Sequence, residues 1–564
     1  MTFSVAPQAL GQTTLPTDGL PSTDLPDIVD PSLSPPIDLA PLPNPDSPPS
    51  PPPAILESPE SSETDVPSDP NLPPSQTFNV TTIEVQGNTV LQDEIAALLA
   101  PYENQVLTFE DLFEIRSAIT QLYVQNGYIT SGAFLPNNQD LSDGIVQIQV
   151  VEGTLEDIEI SGLRRLRTSY IRDRLNRSSE PPLSQTQLEE SLQLLQLNPL
   201  ISRVNADLTV GSAPGRSILR VNLEEAPAFR AGIESNNYQS TSIGSEQISL
   251  NISHENLLGL GDRISVGYGL TEGLDNGAIS YTVPFNTLDG TIQLSYTTTE
   301  SRIVTPLFRD LDIRSDAETF SLGVRQPLVK QPSREFALGL NLDMRRSQTF
   351  ILNDIPFSFS EGPDDGESRI TALRFSQDWI ERGSSSVLAA RSQFSVGLDA
   401  LGATTNDIGT DGRFFSWLGQ FQWVQQVSPR LVVLTRFNAQ LTPDSLLPLE
   451  RFGFGGVDTV RGYPQNQLVT DNGILGSVEA RIPVLANSAT LQVTPFLDVA
   501  HGWNNQTLTP EENTLASVGL GLRWLATRNL VFRLDYGIPL IRIDNTGNSL
   551  QENGLYFSAR YQPF

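Results

Sequence analysis

Few side chains in this chain could do chemistry, and most reactive sets are missing. There are no cysteines and only two histidines, His254 and His501, in 564 residues. Without thiols there is no disulfide and no thiolate metal site. Two scattered imidazoles do not make a histidine-rich metal site or a catalytic triad. The sequence holds no Gly-x-Ser-x-Gly nucleophile elbow and no Gly-x-x-x-x-Gly-Lys-Ser/Thr phosphate loop. What remains is ion pairing. In Phe452-Gly-Phe-Gly-Gly-Val-Asp-Thr-Val460-Arg461-Gly462-Tyr463, three glycines fall within five residues and one cation follows them. Such a backbone can turn tightly through positive φ. Its guanidinium could grip a carboxylate through two parallel hydrogen bonds. Taken alone, this stretch also reads as an exposed surface loop, so the elements around it decide.

Those elements alternate with a period of two. In Arg263–Leu270, one parity is Ile264, Val266, Tyr268 and Leu270, and the other is Arg263, Ser265, Gly267 and Gly269. Phe336, Leu338, Leu340, Leu342 and Met344 alternate in the same way with Ala337, Gly339, Asn341, Asp343 and Arg345. Leu530, Phe532, Leu534 and Tyr536 alternate with Val531, Arg533, Asp535 and Gly537. Alternation alone does not say which face is inside. Residues 227–564, at roughly 20 per strand and connection, predict about 16 strands, as in a transmembrane β-barrel. Any charge on a barrel's inner face needs a partner, since an unpaired charge in a partly desolvated site is costly. Val493, Leu497 and Val499 share one face, which puts Asp498 on the lumen side. Val478, Ala480 and Ile482 do the same for Glu479. Asp498 and Glu479 are therefore candidate lumen carboxylates.

Composition narrows the rest. Net charge is −31 and the pI is about 4.4, which argues against nucleic acid as a partner, because phosphate binding needs a basic surface. No apolar run is long enough for a transmembrane helix. Residues 1–75 hold 20 of the 42 prolines and 11 acidic residues, with no Lys or Arg. Such a tract is expected to be a disordered, extended spacer. Ser4-Val-Ala6 and Ala9-Leu-Gly-Gln12 look like the end of a secretory signal peptide.

Between tract and barrel a pattern of about 75 residues occurs twice. Ile83-Glu-Val-Gln-Gly87 returns as Ile158-Glu-Ile-Ser-Gly162. Thr108 and Asp111 predict a helix start, as do Ser184 and Gln187. Leu112, Ile115, Ile119 and Leu122 predict one helical face, and Leu188, Leu192 and Leu195 the other. Strands are expected near 128–134 and 145–151, and again near 201–210 and 216–224. Each repeat is then β-α-α-β-β, a three-stranded sheet with an open edge. Asn256-Leu-Leu-Gly-Leu-Gly-Asp262 reads as a tight turn between strands.

The stretch Gly127-Tyr128-Ile129, with Leu135-Pro-Asn-Asn-Gln139-Asp-Leu-Ser-Asp-Gly144 to Glu152-Gly153, resembles the first POTRA (polypeptide-transport-associated) domain of the two-partner-secretion transporters. These are the haemolysin secretion/activation proteins of the outer membrane. Leu195-Gln-Leu-Asn198-Pro199 is similar to their second POTRA domain. The resemblance covers roughly residues 76–564. It implies POTRA domains over 76–153 and 154–226, α+β in class, ahead of an all-β antiparallel barrel of about 16 strands over 227–564. Val460-Arg461-Gly462-Tyr463, after Gly455-Gly456, matches the tip of a long loop, here around 443–473, that folds into the lumen. Phe496-Leu-Asp498 matches the strand motif of its partner, so the resemblance implies Asp498 as the lumen partner of Arg461, and parity adds Glu479 as a second candidate.

The function so implied is export of an unfolded, large, β-helical exoprotein to the cell surface of a diderm bacterium. Outer-membrane lipid surrounds the barrel, the POTRA domains stand in the periplasm, and barrel-assembly machinery acts during biogenesis. No enzyme activity, metal, cofactor, nucleotide or nucleic acid is expected. The edge strand Tyr128-Ile129-Thr130-Ser131-Gly132-Ala133-Phe134 is the expected docking site, by strand addition. The alternative function is an outer-membrane protein insertase of the same superfamily.

Overall fold

The computed structural model describes residues 56–57, 77–137, 139–407, 409–485, 488–506, 508–543 and 547–563. Apart from Leu56–Glu57, the tract over 1–75 with its signal-peptide remnant lies outside the described residues, as does Phe564. Leu56–Glu57 pairs in parallel with Ala206 and Asp207 of the strand Ile201–Val210. This differs from the structureless tract expected there. Ala54-Ile-Leu-Glu57 interrupts the prolines, and Leu56 and Glu57 both keep the N–H that a ladder needs. The described chain divides between Ala226 and Pro227 into two compact units.

In the first unit, strand Thr82–Gln86 runs parallel to Ile145–Val151, which pairs antiparallel with Gly132–Phe134. Helices Gln92–Leu99 and Phe109–Gln125 cover this sheet. Leu112, Ile115, Ile119 and Tyr123 pack on Val146, Ile148 and Val150. The longer helix starts on a reciprocal cap, in which Thr108 Oγ1 accepts the Asp111 N–H at 3.2 Å and Asp111 accepts the Thr108 N–H at 2.6 Å. The second repeat has the same order. Thr154–Ser161 runs parallel to Arg216–Glu225, which pairs with Ile201–Val210. Helices Thr168–Leu175 and Gln185–Gln196 pack Ile171, Leu175, Leu188 and Leu192 on Leu219 and Val221.

The repeats share a lock that links the first strand to the last. Gly87 and Gly162 turn at φ +85° and +86°, where a Cβ would lie 2.5 Å from Val150 O and 1.9 Å from Leu223 O. Just beyond each turn, a glutamate near the end of the repeat collects backbone N–H groups. Glu152 accepts from Thr89 N–H at 2.6 Å, Val90 N–H at 3.3 Å and the Tyr123 hydroxyl at 3.0 Å. Glu225 accepts from the N–H groups of Arg164, Arg165 and Leu166 at 2.7, 2.9 and 2.9 Å.

The expected edge strand Tyr128–Phe134 is corrected here to Gly132–Phe134. Gly127, at φ +84°, ends the helix, and Tyr128–Ser131 forms a turn closed by the Ser131 N–H on Tyr128 O at 3.0 Å. Ser131 Oγ then accepts the Gly153 N–H at 2.9 Å. Tyr128, Ile129, Thr130 and Ser131 therefore offer no strand edge. Within the strand that remains, the Ala133 N–H already donates to Thr120 Oγ1 at 3.0 Å. The sheet's other outer strand, Thr82–Gln86, pairs on one side only among the described residues.

In the second unit, sixteen antiparallel strands close a barrel. Phe229–Asn236 and Leu555–Tyr561 make the closing pair, with Ile233 opposite Tyr561. The apolar parity faces out. Val266, Tyr268 and Leu270 are exposed, and in Arg334–Ile351 Leu340 is 47% exposed while Asn341, Asp343 and Arg345 are at most 8%. This is the reverse of a soluble sandwich and the pattern of a barrel in lipid. Among the described residues, no helix is long and apolar enough to cross a membrane. Asn256–Asp262 closes its hairpin at positive φ on Asn256, Gly259 and Gly261.

The glutamate locks predict a pH dependence for the soluble unit. Burial pushes the Glu152 carboxyl up, but hydrogen bonds from Thr89, Tyr123 and Val90 outweigh it and leave it below the usual range. Its contribution is therefore present above the unfolded glutamate value of about 4.3 and lost as pH falls through the depressed folded value. Glu152→Gln should cost about 1–2 kcal/mol of stability at neutral pH and flatten the acid limb. Thermal unfolding of the 76–226 unit followed by circular dichroism across pH checks both, and an unchanged acid limb would contradict the assignment.

Candidate functional site

Residues 442–471 leave the strand Leu431–Leu441 and return in the adjacent strand Asn472–Leu485, with Gln440 opposite Gly473. Inside this long connection Phe452–Phe454 pairs antiparallel with Leu468–Thr470, a small hairpin. Its turn needs glycine. Gly455 and Gly456 sit at φ +102° and +100°, and a Cβ on Gly455 would lie 2.3 Å from Pro464 O. The Gly456 N–H donates to Tyr463 O at 2.9 Å, which closes the tip around Arg461.

Arg461 is fully buried against the inner wall. Its Nε donates to Asp498 Oδ2 at 2.8 Å and its Nη2 to Asp498 Oδ1 at 2.9 Å. Nη1 donates to Glu479 Oε2 at 2.7 Å. Asp535 Oδ1 lies 3.6 Å from Nη1. The guanidinium carbon stands 3.4 Å from the centroid of the Phe496 ring, a desolvated cation–π contact. The carboxylates are themselves held. Ser477 Oγ donates to Asp498 at 2.7 Å, Arg481 Nε to Glu479 at 3.1 Å, and Arg533 Nε lies 2.6 Å from Asp535. Alternation puts these groups in one place. Ser477, Glu479 and Arg481 project from one strand, Phe496 and Asp498 from the next, and Arg533 and Asp535 from Leu530–Pro539.

The flanking residues seat the cation. Val460 packs with Phe452, Phe454, Leu475, Ala500 and Leu515. Gly462, at φ +98°, donates its N–H to the Tyr556 hydroxyl at 3.0 Å, and that hydroxyl donates to Tyr463 O. A Cβ on Gly462 would stand 3.1 Å from the backbone of Gly537, itself a glycine for the same reason. The Tyr463 hydroxyl bridges the strand ends Ala516 and Ile541, whose carbonyls lie 2.9 and 2.8 Å away.

The structure thus brings Val460, Arg461, Gly462, Tyr463, Gly455 and Gly456 together with both candidate carboxylates. Asp498 and Glu479 are simultaneous partners rather than alternatives. Residues 128–134 belong to the other unit. Sequence reasoning passed over Asp535, Phe496 and Tyr556. Asp535 and Phe496 share the inward parity of residues already singled out, and that was the available signal. Nothing in sequence marked Tyr556, whose contact depends on the loop's path. Chemically the cluster is built to grip, since every carboxylate faces a guanidinium. Among the described residues, no group of three His, Cys, Asp or Glu could hold a metal ion.

Comparison with known proteins agrees in fold and sequence. The family described as haemolysin secretion/activation protein ShlB/FhaC/HecB matches residues 215–524, and the ShlB-type POTRA domain matches residues 78–153. An outer membrane transporter, CdiB of Dickeya dadantii, is 24% identical over 477 residues, covering 80% of this chain and 81% of its own. The hemolysin transporter protein HpmB of Proteus mirabilis is 25% identical over 410 residues, covering 69% and 70%. The structure of CdiB from Escherichia coli superposes with a TM-score of 0.66 at 23% identity, over 88% of this chain and 93% of that one, which shows a shared fold.

Because the chain has no cysteine, a single Cys at Thr459 reports on the tip alone. Arg461→Ala and Asp498→Ala should each raise labelling of Thr459→Cys by a membrane-impermeant maleimide. The double variant should label no more than either, with a coupling of about 1–3 kcal/mol. Gly462→Ala should act in the same direction by steric displacement. Independent, multiplicative increases for Arg461 and Asp498 would contradict a shared contact.

Proposed function

This chain belongs to the haemolysin secretion/activation protein (ShlB/FhaC/HecB) family of outer-membrane transporters, and from that premise we propose that it carries a large unfolded exoprotein from periplasm to cell surface. The observation that bears most weight is the fully buried Arg461 on loop 442–471, gripped by carboxylates of the barrel wall. A loop held in a lumen by ions is a closure that can be released. Removing one partner of such a buried set costs about 3–5 kcal/mol, which is ample to hold the loop yet small beside the whole strand ladder. In this reading the resting barrel is occluded and arriving cargo exchanges its own contacts for those of the loop tip.

Capture falls to the periplasmic repeats. Strand addition needs an edge with unpaired backbone groups. Both outer strands pair on one side only, but Thr82–Gln86 fits better than Gly132–Phe134, because it is five residues long rather than three and the Ala133 N–H is already engaged by Thr120. Transport needs no nucleotide in this scheme. Folding of a β-helical cargo outside makes the passage directional.

Arg461→Ala should reduce secretion of a co-expressed β-helical exoprotein sharply while barrel abundance, read from heat-modifiable gel mobility, changes little. Arg461→Lys should rescue poorly, because an ammonium cannot grip a carboxylate with two parallel bonds. Proline at Val85 removes a ladder donor from the open edge and should leave cargo in the periplasm. Full secretion by Arg461→Ala would sink the release of this loop as part of transport.

A further inference from the structure

The same loop carries a second buried charge of opposite sign. Glu450 lies eleven positions before Arg461 and is 4% exposed. Its Oε1 accepts from Arg374 Nη2 at 2.7 Å and stands 3.4 Å from Arg345 Nη1. Arg374 and Arg345 are 4% and 8% exposed and project inward from the adjacent strands Glu367–Arg382 and Arg334–Ile351. Arg374 is built into that wall, since its Nε also binds Asp343 and its Nη1 donates to Ser395 Oγ at 3.0 Å. The loop backbone is held at the same point. Arg345 Nη1 donates to Leu449 O at 3.0 Å, and Gln440 Nε2 donates to Glu450 O at 2.9 Å. Leu446, Leu447 and Leu449 pack alongside on Ile370, Ala372 and Phe414.

The two charges engage different sectors of the barrel. Four strands separate Glu367–Arg382 from the Asp498 strand in the order of the sheet. Residues 450–461 therefore bridge two parts of the inner wall and are fastened at both. Polarity matches each end to its sector, since Glu450 stands at two guanidiniums, Arg374 and Arg345, and Arg461 at three carboxylates, Asp498, Glu479 and Asp535. An apolar side chain could fill the Glu450 site, but it would slide and would not select a sector.

We propose that Glu450 is a second latch of the lumen loop, with Arg374 and Arg345 as its receptors, and that the loop leaves the lumen only when both latches open. Glu450 is a positioning residue. The inference rests on the reading of loop 442–471 as a movable closure.

The test uses the purified full chain in planar bilayers, with Thr459→Cys labelling as a second readout. Glu450→Gln keeps the shape and removes the charge, and should raise conductance and labelling severalfold. Glu450→Asp, which keeps the charge, should fall between Gln and the parent. Glu450→Gln with Arg461→Ala should exceed either alone in both readouts. If Glu450→Gln lowers barrel assembly on heat-modifiable gels, Arg345→Gln removes the longer contact and should shift conductance in the same direction. A folded Glu450→Gln or Arg345→Gln barrel with parental conductance and labelling overturns the latch. Should Arg461→Ala raise conductance in that case, only the Glu450 latch fails; should it also stay at the parental level, the movable-loop reading fails with it.

Discussion

In lipid, every backbone N–H and C=O must find its partner within the protein. That requirement closes the barrel through Phe229–Asn236 and Leu555–Tyr561, because an open edge would leave a row of unpaired groups. Closure in turn creates an inside. The period of two then places every second residue there, away from lipid, and a polar side chain on that parity costs little so long as it is paired. The buried arginines and carboxylates of this protein are a consequence of that geometry.

Having an interior wall of both signs allows a loop to be held without an apolar plug. Loop 442–471 sets its cation Arg461 among Asp498, Glu479 and Asp535, and its anion Glu450 between Arg374 and Arg345. Glycines make the fit possible. Gly462 and Gly537 meet backbone to backbone where two Cβ atoms could not fit. Such contacts are strong while dry and replaceable by competing polar groups. A transporter lumen calls for that combination, and a hydrophobic seal would not supply it.

The soluble unit solves a different problem with related means. A three-stranded sheet backed by two helices is small, and its first strand joins only the third. Glu152 and Glu225 fasten the turn after that first strand by gathering backbone N–H groups. Thr82–Gln86 pairs on one side only among the described residues, while the shorter edge at Gly132–Phe134 is engaged by Thr120.

Local pattern was enough to read the fold class, the repeats and the lumen parity of Asp498 and Glu479, because a period of two is a property of the strand itself. The capped helix at Thr108 was legible for the same reason, since its hydrogen bonds span three residues. Strand length at Tyr128–Phe134 was not legible. Those residues alternate acceptably, but Ser131 and Thr120 bind groups across the fold and end the strand early. Nor could sequence say that Arg461 reaches Asp498 and Glu479 together, or that Glu450 meets Arg374. Those pairings join residues from 18 to 76 positions apart. Their distances follow from the register of the closed sheet and the path of one loop through it, and only the assembled barrel defines either.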